Sequence, residues 1–176
     1  NSVITTITVG DEPLPLVYNS TNNKVYCANG GSDNVTVIDG VTNSVITTIT
    51  VGDDPRTLVY NTTNNKVYCA NGGSDDVTVI DGASNSVITT ITVGDYPGAL
   101  VYNSTNNKVY CANAESATVK VIDGATNSVI TTITVGDSPR ALVYNPTNNK
   151  VYCGNLWSDN VTVIDGATNS VISTIP

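Results

Sequence analysis

The sequence predicts an all-β protein, a β-propeller built from four-stranded antiparallel blades, and three observations lead there. A unit of 42 residues runs along the chain almost unchanged. Each unit holds four short segments rich in Val, Ile, Thr and Tyr, the composition of strands. The stretches between them are short and dense in Gly, Asn, Asp and Pro, which suits antiparallel hairpins and leaves no room for crossover helices. No window places apolar residues at helical spacing. A β-solenoid is the rival arrangement, but its coils are usually shorter and are not joined by so many tight turns.

The second unit, 43–84, shows the elements in order. "LVYN" (58–61) is the first strand and is followed by the turn "TTNN". "KVYCAN" (66–71) is the second, followed by "GGSD"; "VTVID" (77–81) is the third, followed by "GAS" and Asn85. "SVITTITV" (86–93) is the fourth, and "GDYP" links it to the next unit. The units span 1–42, 43–84, 85–126 and 127–168, with a partial copy at 169–176, and together they make one domain over 1–176. The stretch "NSVITTITVGD" opens the chain and returns at Asn43, Asn85 and Asn127, and "NSVISTIP" begins at Asn169. Ser2–Val9 is therefore a fourth strand that has no first three, a surplus outer strand.

At the second strand the units resemble the YVTN family of β-propeller repeats, named for a Tyr-Val-Thr-Asn tetrapeptide. The slot reads Tyr26-Cys27-Ala28-Asn29, Tyr68-Cys69-Ala70-Asn71, Tyr110-Cys111-Ala112-Asn113 and Tyr152-Cys153-Gly154-Asn155. The outer two positions match and the middle two differ. The "VIDG" hairpins and "VGD" links are also similar to that family, so the resemblance covers the whole chain. It implies surface-layer or cell-surface proteins with seven-bladed rings, used for scaffolding and adhesion. Four blades depart from that number.

Net charge is −8, with seven basic residues and no histidine. Nucleic acid and anionic membranes both require a cationic face, which this composition does not provide. No apolar run is long enough to span a bilayer as a helix. The absence of an initiator Met or a basic-plus-apolar leader points to a processed chain or to a piece of a longer one.

Cys27, Cys69, Cys111 and Cys153 occupy one slot per unit, and equivalent slots on neighbouring blades lie beyond the ~7 Å Cα limit for a disulfide. Alternation puts Val25 and Cys27 on one side of the strand and Lys24 and Tyr26 on the other, so buried, unpaired thiols are expected. Asp39, Asp81, Asp123 and Asp165, each before a Gly, read as turn formers, as do Asp11, Asp53, Asp95 and Asp137 in the links. Without histidine or a recognisable ligand spacing, neither a metal site nor any other cofactor is expected. No nucleophile–base pair can be picked out either, so no catalytic residue is expected and a propeller enzyme is the weaker reading. Asn-x-Ser/Thr sequons at Asn19, Asn34, Asn61, Asn103 and Asn160 are candidate glycosylation sites; Pro146 removes the fourth loop's acceptor.

Differences among such similar units concentrate in two places: the links, carrying Glu12, Asp54 and Arg56, Tyr96, and Arg140; and the loops between second and third strands, carrying Glu115, Leu156 and Trp157. Both open onto one end of a propeller. This variable face is the expected binding surface, for protein or glycan. These features make a non-catalytic extracellular or cell-surface scaffold the favoured reading, and a carbohydrate- or protein-binding module cut from a longer surface protein the alternative. The surplus strand adds an expectation of self-assembly with other copies, by strand exchange or head to tail.

Overall fold

The computed structural model describes residues 2–176. Sixteen strands form four antiparallel sheets, each made of strands consecutive in sequence. The first blade is β1 (Pro13–Asn19), β2 (Lys24–Asn29), β3 (Asn34–Asp39) and β4 (Val45–Thr50). The second is β5 (Pro55–Asn61), β6 (Lys66–Asn71), β7 (Asp76–Asp81) and β8 (Val87–Thr92). β9 (Pro97–Asn103), β10 (Lys108–Asn113), β11 (Thr118–Asp123) and β12 (Val129–Thr134) make the third. The fourth is β13 (Pro139–Asn145), β14 (Lys150–Asn155), β15 (Asn160–Asp165) and β16 (Val171–Ile175). These are four propeller blades. The first strand of each begins three residues earlier than its apolar core suggests, because the link's proline pairs across a register shift, as Pro55 does with Asn71.

β1, β5, β9 and β13 lie side by side at the centre, and the Thr-rich strands β4, β8, β12 and β16 lie outermost. Burial follows position. The KVYCAN strands are buried on both faces, whereas the VITTIT strands keep mainly one isoleucine inside, Ile49, Ile91 or Ile133. A strand covered on both faces reads as a nearly continuous apolar run, and an outer one as an alternation.

Three hydrophobic clusters hold the array together, one at each seam between consecutive blades. At the first, Tyr26, Ala28, Val35 and Val37 pack against Leu58, Tyr60, Val67, Cys69 and Ile80. Each fully buried aliphatic side chain contributes about 1.5–3 kcal/mol. Cys69 on one face of its strand and Tyr68 and Ala70 on the other serve different seams, the alternation read from sequence. All four cysteines are free and buried, and burial pushes their thiols up, that of Cys153 to about 12.

The arc is open. Among the described residues no cluster and no hydrogen bond joins the fourth blade to the first. Its two end faces expose Leu16 and Tyr18 on one side and Val143 on the other. Ser2–Val9 pairs with no strand, and Val3 and Ile4 are 85% and 91% exposed. The segment expected as a surplus outer strand thus forms no strand of its own.

Every blade repeats four left-handed residues, and one of them exposes a local defect. Asp33, Asp75 and Asp159 take φ of 50–56° between second and third strands, where Ala117 sits at 50° in the third blade. Short polar side chains adopt this region more readily than alanine. Asp33 and Asp75 also accept hydrogen bonds at Oδ1 from Asp54 N and Tyr96 N of the next blade, at 2.9 and 2.8 Å. Ala117 offers Ser138 N nothing equivalent. Ala117→Asp should therefore raise unfolding stability by about 1 kcal/mol in chemical denaturation, the scale of one buried hydrogen bond. An unchanged or lower midpoint would contradict this account of the repeat.

Candidate functional site

The two ends of the arc are built differently. At one end, backbone bonds tie each link to the loop after the second strand: Gly30 N to Glu12 O, Gly72 N to Asp54 O, Ala114 N to Tyr96 O and Leu156 N to Ser138 O. Links and variable loops thus form one surface. It carries every residue expected there: Glu12, Asp54, Arg56, Tyr96, Glu115, Arg140, Leu156 and Trp157. Trp157 is 72% exposed and borders a shallow hollow with Glu115, Ala117 and Asp137.

The structure brings some of these together. Arg56 donates from Nε to Asp54 Oδ2 at 2.7 Å, and its Nη2 lies 2.7 Å from the same oxygen. Its guanidinium carbon is 5.5 Å from the centre of the Tyr96 ring, and that of Arg140 is 5.1 Å away. Tyr96 thus gathers one arginine from each neighbouring blade, distances at which cation–π attraction contributes about 0.5–1 kcal/mol. Glu12 lies close enough for its charge to favour the Arg56 cation, whereas Glu115 and Trp157 take no part in that cluster.

At the opposite end, the constant loops do more than turn the chain. Asn19, Asn61 and Asn103 are fully buried. Each Oδ1 accepts a backbone N–H of its own loop, and each Nδ2 donates across a seam, to Asn65, Asn107 and Asn149 at 2.8 Å. The expectation that these three are exposed glycan acceptors is corrected: their amides are spent inside the seams. Asn34 and Asn160 are half-buried, and each accepts from a buried asparagine, Asn29 or Asn155, at 2.7 Å.

The same end carries a lysine clasp. Lys24 Nζ donates to Gly82 O, Ala83 O and Asn85 Oδ1 of the next blade at 2.9, 3.2 and 2.9 Å. Tyr26 Oη donates to Asn85 Oδ1 at 3.0 Å. Lys66 with Tyr68, and Lys108 with Tyr110, repeat the clasp at the next two seams. Thr21, Thr63 and Thr105 pair with Tyr60, Tyr102 and Tyr144. The turn glycine is required: a Cβ on Gly82 would lie 2.6 Å from Asn19 Nδ2. Burial lowers the Lys66 and Lys108 ammonium groups and pushes the phenols of Tyr26, Tyr68 and Tyr110 up to about 12. Sequence reasoning missed this network, although its signal was present in a Lys and a Tyr that return with each constant loop.

Asp39, Asp81, Asp123 and Asp165 accept two backbone N–H bonds each within their turns, which holds their carboxyls below the usual range. They are turn formers, as read. No group of three or more potential metal ligands is found among the described residues.

No family model and no curated protein matches the chain. Its fold is similar to that of Kuenenia stuttgartiensis Hydrazine Synthase, with a TM-score of 0.86 over 99% of this chain at 22% identity. The chain covers 52% of that one, about half its length. At this identity the likeness speaks for the fold alone.

The seam phenols give the fold an alkaline limit. Unfolded tyrosines ionise near pH ~10, whereas Tyr26, Tyr68 and Tyr110 hold their protons to about 12 in the fold. Stability they contribute is complete below pH ~10 and is lost as pH rises towards the folded value. Tyrosinate absorbance should therefore show these three of the nine tyrosines ionising together with loss of the β circular dichroism signal. Ionisation of all nine near pH ~10 in a folded chain would contradict it.

Proposed function

We propose that the chain is a non-catalytic scaffold, extracellular or at the cell surface, that assembles with copies of itself through its two end faces and presents the variable loop face for binding. One observation carries the reading. The seam bonds recur three times inside the chain, and the half-sets for a fourth stand at opposite ends. Lys150 and Tyr152 occupy the clasp position but have no turn to hold, since the bonds made by the other three lysines are missing here. Gly40, Val41 and Asn43 form the matching turn and hold no lysine. Thr147 likewise matches the exposed Tyr18, as Thr21 matches Tyr60.

Joining the fourth blade of one copy to the first blade of another would reproduce an interface already formed three times. Such a head-to-tail contact makes a ring when its rotation closes and a filament when it does not. Two arcs in a ring of eight blades is the arrangement favoured here. Ser2–Val9 suits strand exchange at the junction, because Val51 N, Val93 N and Val135 N each donate to the preceding blade's loop, and Val9 is the next residue of that set. The resemblance to YVTN repeats of surface proteins, and the acidic, Thr- and Asn-rich composition, support the location and the structural role. A second reading has neighbouring blades of a longer surface protein covering these same end faces, with the chain its carbohydrate- or protein-binding module.

Sedimentation of the 176-residue chain tests the assembly. Particles of two chains or more are expected, and Lys150→Ala should weaken association at least about tenfold, from loss of charge-assisted bonds worth about 1.5–3 kcal/mol. Lys120→Ala, outside the clasp, is the charge-matched control. A monomer at all concentrations, or equal effects of the two substitutions, would remove self-assembly from the reading.

A further inference from the structure

We propose that Arg140, with Arg56 and Tyr96, forms a binding subsite for a single carboxylate group on the variable face. The inference rests on the reading of that face as a binding surface and is independent of self-assembly.

The repeat itself supplies the comparison. Arg56 and Arg140 hold the same position in consecutive-but-one blades and are the chain's only arginines. In the second blade the residue two before is Asp54, whose carboxylate takes the Nε and Nη2 contacts of Arg56. In the fourth blade that residue is Ser138. Its Oγ accepts from Arg140 Nε at 3.1 Å, and no carboxylate reaches this guanidinium among the described residues. Arg140 is thus the same arginine with its carboxylate taken away.

The surroundings leave room for one to arrive. At the corresponding position of the third blade stands Gly98, where an added Cβ would meet nothing nearer than Tyr96 O at 4.0 Å. Leu14, Pro15, Arg56, Tyr96, Gly98 and Arg140 line an open hollow of about 440 Å³ over this gap. Tyr96 holds both guanidinium groups beside its ring, so the cations are positioned before a ligand binds. Its own backbone is fixed by the 2.8 Å bond from Tyr96 N to Asp75 Oδ1.

Charge selects the ligand further. Arginine's planar fork matches a carboxylate through two parallel bonds. A net charge of −8 repels polyanions, so the group recognised is a lone carboxylate on an otherwise neutral molecule. Leu14 and Pro15 give the apolar part of that molecule a surface to rest on.

Nuclear magnetic resonance titration of the full chain with benzoate and galacturonate, each beside its neutral counterpart benzamide or galactose, tests the assignment. The acids should shift the Arg140 and Arg56 side-chain resonances and those of Tyr96, and the neutral molecules should not. The tighter acid identifies an aromatic or a sugar carrier. Arg140→Gln should weaken binding at least about tenfold, and Arg140→Lys, which keeps the charge and loses the fork, should restore only part of it. Ser138→Asp should block the subsite by supplying the carboxylate internally, as Asp54 does for Arg56, while Asp54→Asn should tighten binding by freeing Arg56. Equal shifts from acid and neutral molecules, or acid binding that survives both Arg140→Gln and Ser138→Asp, would overturn the proposal. Lys150→Ala separates the two readings, since a chain that no longer associates should still bind the acids.

Discussion

The arrangement depends on one contact made over and over: a lysine and a tyrosine on the second strand of a blade reaching the β-turn of the next. The lysine closes on two carbonyls and an amide oxygen at the edge of a packed seam. An ammonium drawn that far from water is stable only when its donors are met. The turn must therefore sit in one place, and glycine at its head is what allows the neighbouring asparagine to lie against it. Position of the turn sets the angle between blades, and that angle places the links that build the opposite surface.

Pairing of the buried polar side chains is complete. No buried side-chain nitrogen or oxygen lacks a partner among the described residues. Much of it is done by asparagine, which supplies an acceptor to its own loop and a donor to the neighbouring blade at once. A serine or threonine hydroxyl also accepts and donates, but through one atom, whereas the amide does so from two separate atoms and so spans the gap between its loop and the neighbouring blade. Asparagine thus serves the seams at Asn19, Asn61 and Asn103, while Asn23, Asn43, Asn65 and Asn85 supply left-handed turn positions.

Legibility in the sequence divided along the same line. Strand order, the alternation of Cys27 against Tyr26, and the two families of loops followed from a period of 42 and from side-chain parity, both of which are local properties. Trp157 and Tyr96 were placed on the variable face for the same reason. The sequons at Asn19, Asn61 and Asn103 were misread because the triplet says nothing about the blade that comes to lie on it. The clasp was overlooked because its partners are 58 to 61 residues apart, well beyond one repeat. The arginine cluster could not be seen because it joins three blades, and only the assembled curvature brings Arg56 and Arg140 to one ring.

The four blades have three seams among them, and this sets how the chain comes apart. Stability of such an array is close to a sum of blade terms and neighbour terms, as in a one-dimensional lattice. The second and third blades are each held on two sides and the end blades on one, so opening proceeds from the termini inward, and amide protons of β14 and β2 exchange before those of β6 and β10. Near-identity of the seams carries a further cost during folding. Any blade fits against any other, so a nascent chain can pair blades out of order and must unpair them again. The few departures from the repeat, Ala117, Lys120 and Pro146 among them, are the only marks by which one blade differs from the next.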